Sequence, residues 1–374
     1  MNPGLSSLTV PPLFLIWFLA SWPLSPADQR TPDHSKIEAV SMDVSMGSQQ
    51  PQDSQSDDTQ TATQDADPLF PVVEHHKWGY MNKSGKLIIA PKYYNAFPFT
   101  EGIGRVEPFA VLQSKAVRVQ YIDKSGMVLP NSQIYSYAAA FSEGLARVVV
   151  AGEREFSYID STGRRVIEQD RVAGSFKEGL AAVGDGHKYG YIDKLGRAVI
   201  PLAFDGNQSF NEGLAPVKVG KNWGFIDTTG KLIISPKYEL AVPHYEGLAA
   251  VKLDGKWGYI DKTGEMVIPV QFIEAYGFRD GRAQVKVDGK WGYIDKTGRM
   301  VILPTFDHAG EHTEGMAPVK IAGKWGFINS AGDMVVAPQF DEVGNFVNGL
   351  AAVRVGRKWG YIDKTGKYIW TPTD

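Results

Sequence analysis

The sequence predicts an all-β protein: nine three-stranded β-meander units of about 34 residues, arranged as an open, curved, solenoid-like array rather than a closed propeller-like ring. Three observations predict it. The Trp of "WGYID" and its variants falls at 78, 223, 257, 291, 325 and 359, in steps of 34 from Trp223 onward. Repetition at 20–50 residues marks a repeat architecture. Asp-Gly pairs such as Asp254-Gly255 and Asp288-Gly289 separate alternating apolar stretches, a hairpin signal because Gly supplies the positive φ of a type I′ turn. A proline closes the third stretch in eight of the nine units, at Pro91, Pro130, Pro201, Pro236, Pro269, Pro304, Pro338 and Pro372. Proline cannot donate to a ladder, so it ends a strand or lies at an edge.

The unit parses in order. Strand A is an apolar stretch such as Leu248–Leu253; strand B follows the Asp-Gly turn as "KWGYID". The turn Asp261–Gly264 then folds strand C, Glu265–Pro269, back on B. Its Asp caps the turn and its Gly accepts a left-handed conformation. Degenerate copies at Val119, Phe156 and Tyr189 complete the nine units. The connector carries Tyr93, Phe204, Tyr238, Phe272, Phe306 and Phe340, then Phe99, Phe210, Tyr245, Phe278 and Phe346. Rings at regular spacing read as core anchors, each contributing roughly 2–3 kcal/mol on burial. An "EGLA" segment restarts the unit at Glu178, Glu212 and Glu246. Nine units exceed the usual range of propeller blades, and 34 residues are few for a four-stranded blade. Both facts favour the open array.

The N-terminus is different in kind. Residues 1–27 contain "LFLIWFLA" (13–20), too short to span a bilayer. Ser25 and Ala27 suit cleavage before Asp28, so residues 1–27 read as a signal peptide, although no Lys or Arg precedes the apolar block. Residues 28–69 hold nine acidic and two basic side chains and no aromatic ring other than at the His34 imidazole. Such a segment buries too little apolar surface to order itself and reads as a disordered acidic and polar linker. Of the net charge of −3, the repeat domain 70–374 therefore carries about +4, too weak a balance for a nucleic-acid surface.

"KWGYIDKTGK", followed by an apolar pair, Pro, an aromatic residue and "EGLA", resembles the Trp-Gly (WG) repeat family of bacterial proteins over residues 70–374. Units two and three depart from the pattern, with Val119-Gln120 and Phe156-Ser157 in place of Trp-Gly. The resemblance implies an all-β repeat fold and no catalytic residues.

The chain has no cysteine, no G-x-S-x-G, no Walker loop and no H-E-x-x-H. The Asp of "YID" (123, 160, 193, 227, 261, 295, 363) gives way to Asn82 and Asn329, which suits a turn cap better than a calcium ligand. His75-His76 and His308/His312, with Glu311 and Glu314 near, are the local histidine groups and fall short of a converging zinc set. The Trp rings read as packing residues rather than sugar platforms. The expectation is a non-enzymatic scaffold or binding module. It is exported to an extracytoplasmic location, touches a membrane only if residues 1–27 are retained, and has no cofactor and no metal. Its partner is a protein or a cell-envelope polysaccharide. The alternatives are an enzyme with its site in the irregular units 119–183 and a purely structural spacer.

Overall fold

The computed structural model describes residues 68–109, 118–169 and 172–373. The signal-peptide and linker assignments fall outside these residues, apart from Pro68 and Leu69. Among the described residues no helix is long and apolar enough to cross a membrane.

The all-β expectation holds, but the open array does not. The described residues form eight antiparallel sheets that close into an eight-bladed propeller ring. The first sheet has five strands: β1 (Phe70–Glu74), β2 (Lys77–Met81), β3 (Leu87–Ala96), β4 (Gly104–Pro108) and β5 (Gln120–Ile122). It holds repeat units one and two, because β3 runs without a break from pairing with β2 to pairing with β4. Each later unit has its own four-stranded sheet. The three-stranded expectation is also corrected. In units four to nine the fourth strand is a two-residue piece of the connector, such as Leu240–Ala241, paired with strand A of its own unit; in unit three it is Tyr135–Ala138. Borrowing it from the connector lets a 34-residue unit form a four-stranded blade.

Closure is visible at the seam. Nine apolar clusters lie between successive units. The ninth joins Phe70, Val72 and Met81 of unit one to Leu350, Ala352 and Tyr361 of unit nine. The Phe70 and Tyr361 rings meet edge-on at 5.6 Å, and the Thr373 hydroxyl donates to the Val73 carbonyl. Elsewhere the strand-B ring of one unit meets a connector ring of the next in the same way, as Tyr259 meets Phe278 at 5.0 Å. A unit exposes an apolar face on each side, and an open array would leave two such faces in water. The ring buries both.

The strand-B glycine has a specific cause. Trp257 pairs with Phe272 and Tyr259 with Ile268, so strand C carries two extra residues opposite Gly258. This bulge brings strand C against strand B: a Cβ on Gly258 would sit 2.6 Å from the Ile268 carbonyl oxygen. Strand C also continues through its proline, as Met266–Phe272 does through Pro269. The proline thus sits in the bulge of an edge strand instead of ending it, a place that needs no N–H donor. Unit three shows the converse. Phe156, Ser157 and Tyr158 pair in step with Gln169, Glu168 and Ile167, with no extra residues between them. Without the bulge a side chain fits, and Ser157 replaces Gly; the same unit has no closing proline.

Candidate binding surfaces

The repeated polar residues are committed to the ring. In the Asp261 turn, Oδ1 accepts from the Thr263 amide (2.9 Å), the Thr263 hydroxyl (2.7 Å) and the Glu265 amide (2.9 Å). The Thr263 hydroxyl and these amides hold its carboxyl below the usual carboxylate range. Asn82 and Asn329 cap their turns through the same atom. Asp261→Ala is therefore expected to cost about 1 kcal/mol in urea denaturation, and Asp261→Asn a few tenths. Equal losses for the two would argue against capping.

The "EGLA" acid forms a second system that sequence reasoning missed. Glu212 and its counterparts sit at positive φ, 55° for Glu212, in a tight turn with the following glycine. A non-glycine residue held there costs of order 1–3 kcal/mol. The offset is a clamp reaching from each unit to the next. Glu101 accepts the Glu143 and Gly144 amides, Glu143 those of Glu178 and Gly179, and Glu178 that of Gly213. Glu212, Glu246, Asp280 and Glu314 continue to Gly247, Gly281, Gly315 and Gly349. Lysines from the following unit's "DKTG" turn reinforce four links, Lys194–Glu143, Lys262–Glu212, Lys296–Glu246 and Lys364–Glu314, at 3.0–3.2 Å. Each of these turns joins the two-residue edge strand to strand A, at the sheet edge opposite the more exposed strand C, so the turns form the inner rim of the ring. The last such turn carries Asn348 instead of an acid. The spacing of about 50 residues between each acid and its lysine was the available signal in the sequence.

Trp257 and Trp291 are only 6% and 2% exposed, and Trp223, Trp325 and Trp359 are half-buried. Lys286, Lys320 and Arg354 lie over the rings of Trp291, Trp325 and Trp359. Covered rings of this kind brace the blades. His75 and His76 form the exposed turn between β1 and β2. His308 stacks on Trp291 and lies tilted beside Trp325. His312, 1% exposed, meets Tyr293 edge-on at 4.7 Å in the place of a connector phenylalanine. His244, not Tyr245, likewise fills that place against Phe225. The two residues of the 308/312 pair therefore have separate surroundings, and no group of three metal-binding side chains forms among the described residues.

Burial pushes the His312 pKa down to about 4, with Arg282 adding to the shift and Asp280 opposing it. An unfolded histidine takes up its proton near 6.5 and the folded one near 4. The stability that its neutral form contributes is thus complete above pH 6.5 and is lost as pH falls from 6.5 toward 4. Thermal unfolding across that window is expected to show a loss that His312→Phe diminishes.

The irregular sector differs. Unit two forms no strand C beyond the isolated bridge Ile122–Val128. Where other "DKTG" glycines pack on the preceding unit's strand C, Gly163 packs on the Ser132 backbone, and the Asn131 amide donates to the Thr162 carbonyl at 3.1 Å. The misfit leaves a cleft of about 290 Å³ lined by Asn131, Gln133, Tyr135, Gly163, Arg164 and Arg165. Glu153 holds Arg165 at 2.8 and 2.9 Å. Arg164 reaches Asp160 at 3.4 Å, and its side chain is 72% exposed.

The sequence matches the family described as "WG containing repeat" at residues 78–107, 121–153, 189–223, 223–257, 257–291, 291–325 and 325–359. No curated protein matches it. Among solved structures, it is similar to a eukaryotic initiation factor at 13% identity, over 81% of this chain and 95% of that one, with a TM-score of 0.58. At this identity the likeness is one of fold. It also aligns with virginiamycin B lyase from Staphylococcus aureus (14% identity, 62% and 92% covered, TM-score 0.35). A third alignment is with apo AztD from Citrobacter koseri (11%, 72% and 93%, 0.41).

Proposed function

Because the chain belongs to the family of WG-containing repeats, we propose that it is a non-catalytic scaffold that binds a protein partner outside the cytoplasm. The observation that carries this reading is the division of labour among its residues. The recurrent Trp, Asp, Glu and Lys side chains are used in holding blades together, and the cleft beside Arg164 opens where the repeats differ. A partner surface there meets an exposed guanidinium, side-chain amides and the Tyr135 ring, groups suited to hydrogen bonding with a polypeptide. The covered Trp rings favour a protein over an envelope glycan, which would need bare aromatic faces. Export rests on the apolar segment 13–20 and the small residues before Asp28.

Retention of the purified protein on isolated cell-envelope fractions tests the binding. Retention that protease treatment of the fractions abolishes, and that Arg164→Glu weakens tenfold, is expected. Retention removed by glycan hydrolases instead would replace the protein by a polysaccharide, and no retention would sink the reading. N-terminal sequencing of the mature protein is expected to begin at Asp28.

A further inference from the structure

The inner rim breaks its own pattern at units seven and eight. At the first position of strand A units two to six, eight and nine place Ile103, Leu145, Leu180, Leu214, Leu248, Met316 and Leu350, each buried. Unit seven places Arg282 there. In the regular junctions this residue shares a core cluster with a connector phenylalanine of the following unit, as Leu248 does with Phe278 and Met316 with Phe346. The corresponding residue after unit seven is His312. Both halves of one apolar contact are thus polar at this junction, and among the described residues only here. A charged side chain in a core position is costly unless its hydrogen bonds are satisfied.

They are not satisfied within the chain. Arg282 Nη1 reaches the carbonyl of its neighbour Gly281 at 3.3 Å, while its buried Nε has no partner. Both ring nitrogens of His312 and the hydroxyl of Thr313 are buried and unpartnered as well. His244, in the matching place two units earlier, bonds the Asp261 carbonyl through Nε2. The neighbouring acids are already engaged. Asp280 accepts from the Gly315 amide at 3.0 Å, and Glu311 lies 3.8 Å from Arg279, whose guanidinium stacks on Tyr245 at 3.9 Å. Beside Arg282 the rim is open: a Cβ on Gly281 would meet nothing within 4 Å.

We propose that Arg282, His312 and Thr313 form a binding site for an oxyanion, carboxylate or phosphate, entered from the inner rim at Gly281. The three side chains supply donors of different depth, and a planar guanidinium edge suits two oxygens at once. Arg282 is half-buried, and the buried His312 lies close enough to feel its charge. The site is separate from the Arg164 cleft and stands whether or not a partner binds there. An anion beside His312 also favours its protonated form, against the downward push of burial and Arg282, so binding draws in protons as pH falls.

The test uses the full chain, with sodium phosphate and sodium succinate as probes and sodium chloride at matched ionic strength as control. Titration calorimetry and thermal shift at pH 7 are expected to show saturable binding of at least one probe that chloride does not reproduce. The double substitution Arg282→Leu with His312→Phe restores the contact of the regular junctions. It is expected to fold, to melt higher than the parent and to lose binding at least tenfold. Preference for succinate identifies a carboxylate, and preference for phosphate a phosphoryl group. Absence of saturable binding in the parent, or unchanged binding in the double variant, would overturn the proposal.

Discussion

Gly258→Ala is expected to destabilise the protein by about 3 kcal/mol, as a methyl group forced into a packed site does when its neighbours cannot move. The Cβ would lie 2.6 Å from the Ile268 carbonyl oxygen, 2.8 Å from the Val270 nitrogen and 2.9 Å from the Pro269 carbonyl carbon. All three are backbone atoms of one bulge, so no rotamer change relieves the clash. Gly292 faces Ile302 and Pro304 in the same manner and should behave alike. Ser157→Gly is the control. Ser157 stands at the matching place in a unit without the bulge, so removing its side chain is expected to cost only the ~0.5–1 kcal/mol of a glycine in a strand. Chemical denaturation of the three variants checks this. Similar losses at positions 157 and 258 would dissociate the glycine from the bulge.

Val72→Asp is expected to open the ring. Val72 is 2% exposed, in the cluster that joins Phe70 and Met81 to Leu350, Ala352 and Tyr361. A carboxylate there has no partner in the cluster, and burying it costs about 4 kcal/mol or more. The chain can escape that cost by separating unit one from unit nine, which exposes the seam. Solution scattering is expected to report a larger radius of gyration, and a hydrophobic dye increased binding. A change within about 0.5 kcal/mol, the range of an ordinary surface substitution, would show that the seam is not closed in solution.

The repeat grammar was legible because its signals are local. The Asp254-Gly255 hairpin, the Asp261 cap and the connector rings follow from residues within one unit. The fourth strand was not legible. Leu240–Ala241 is two residues long and has no alternation to read, and it becomes a strand only because Lys252 and Val251 lie beside it. The carboxylate clamps were missed for a related reason: Glu212 pairs with a lysine 50 residues on, in another unit. Gln120 and Ser157 mark units two and three as irregular in the sequence, and a cleft lies at residues 131–165. Its lining depended on where the misfit of unit two left space.

What the sequence determined by itself is the unit: its strands, its turns and the period at which they recur, because hairpin and cap chemistry act over a few residues. What only the tertiary structure decided is closure and its consequences. These are the eight-bladed ring in place of an open array, the inner rim of clamped turns, and the meeting of Arg282 with His312. All three depend on which apolar faces find each other when residues far apart in the chain come together, and burying the last two exposed faces against one another settled that choice.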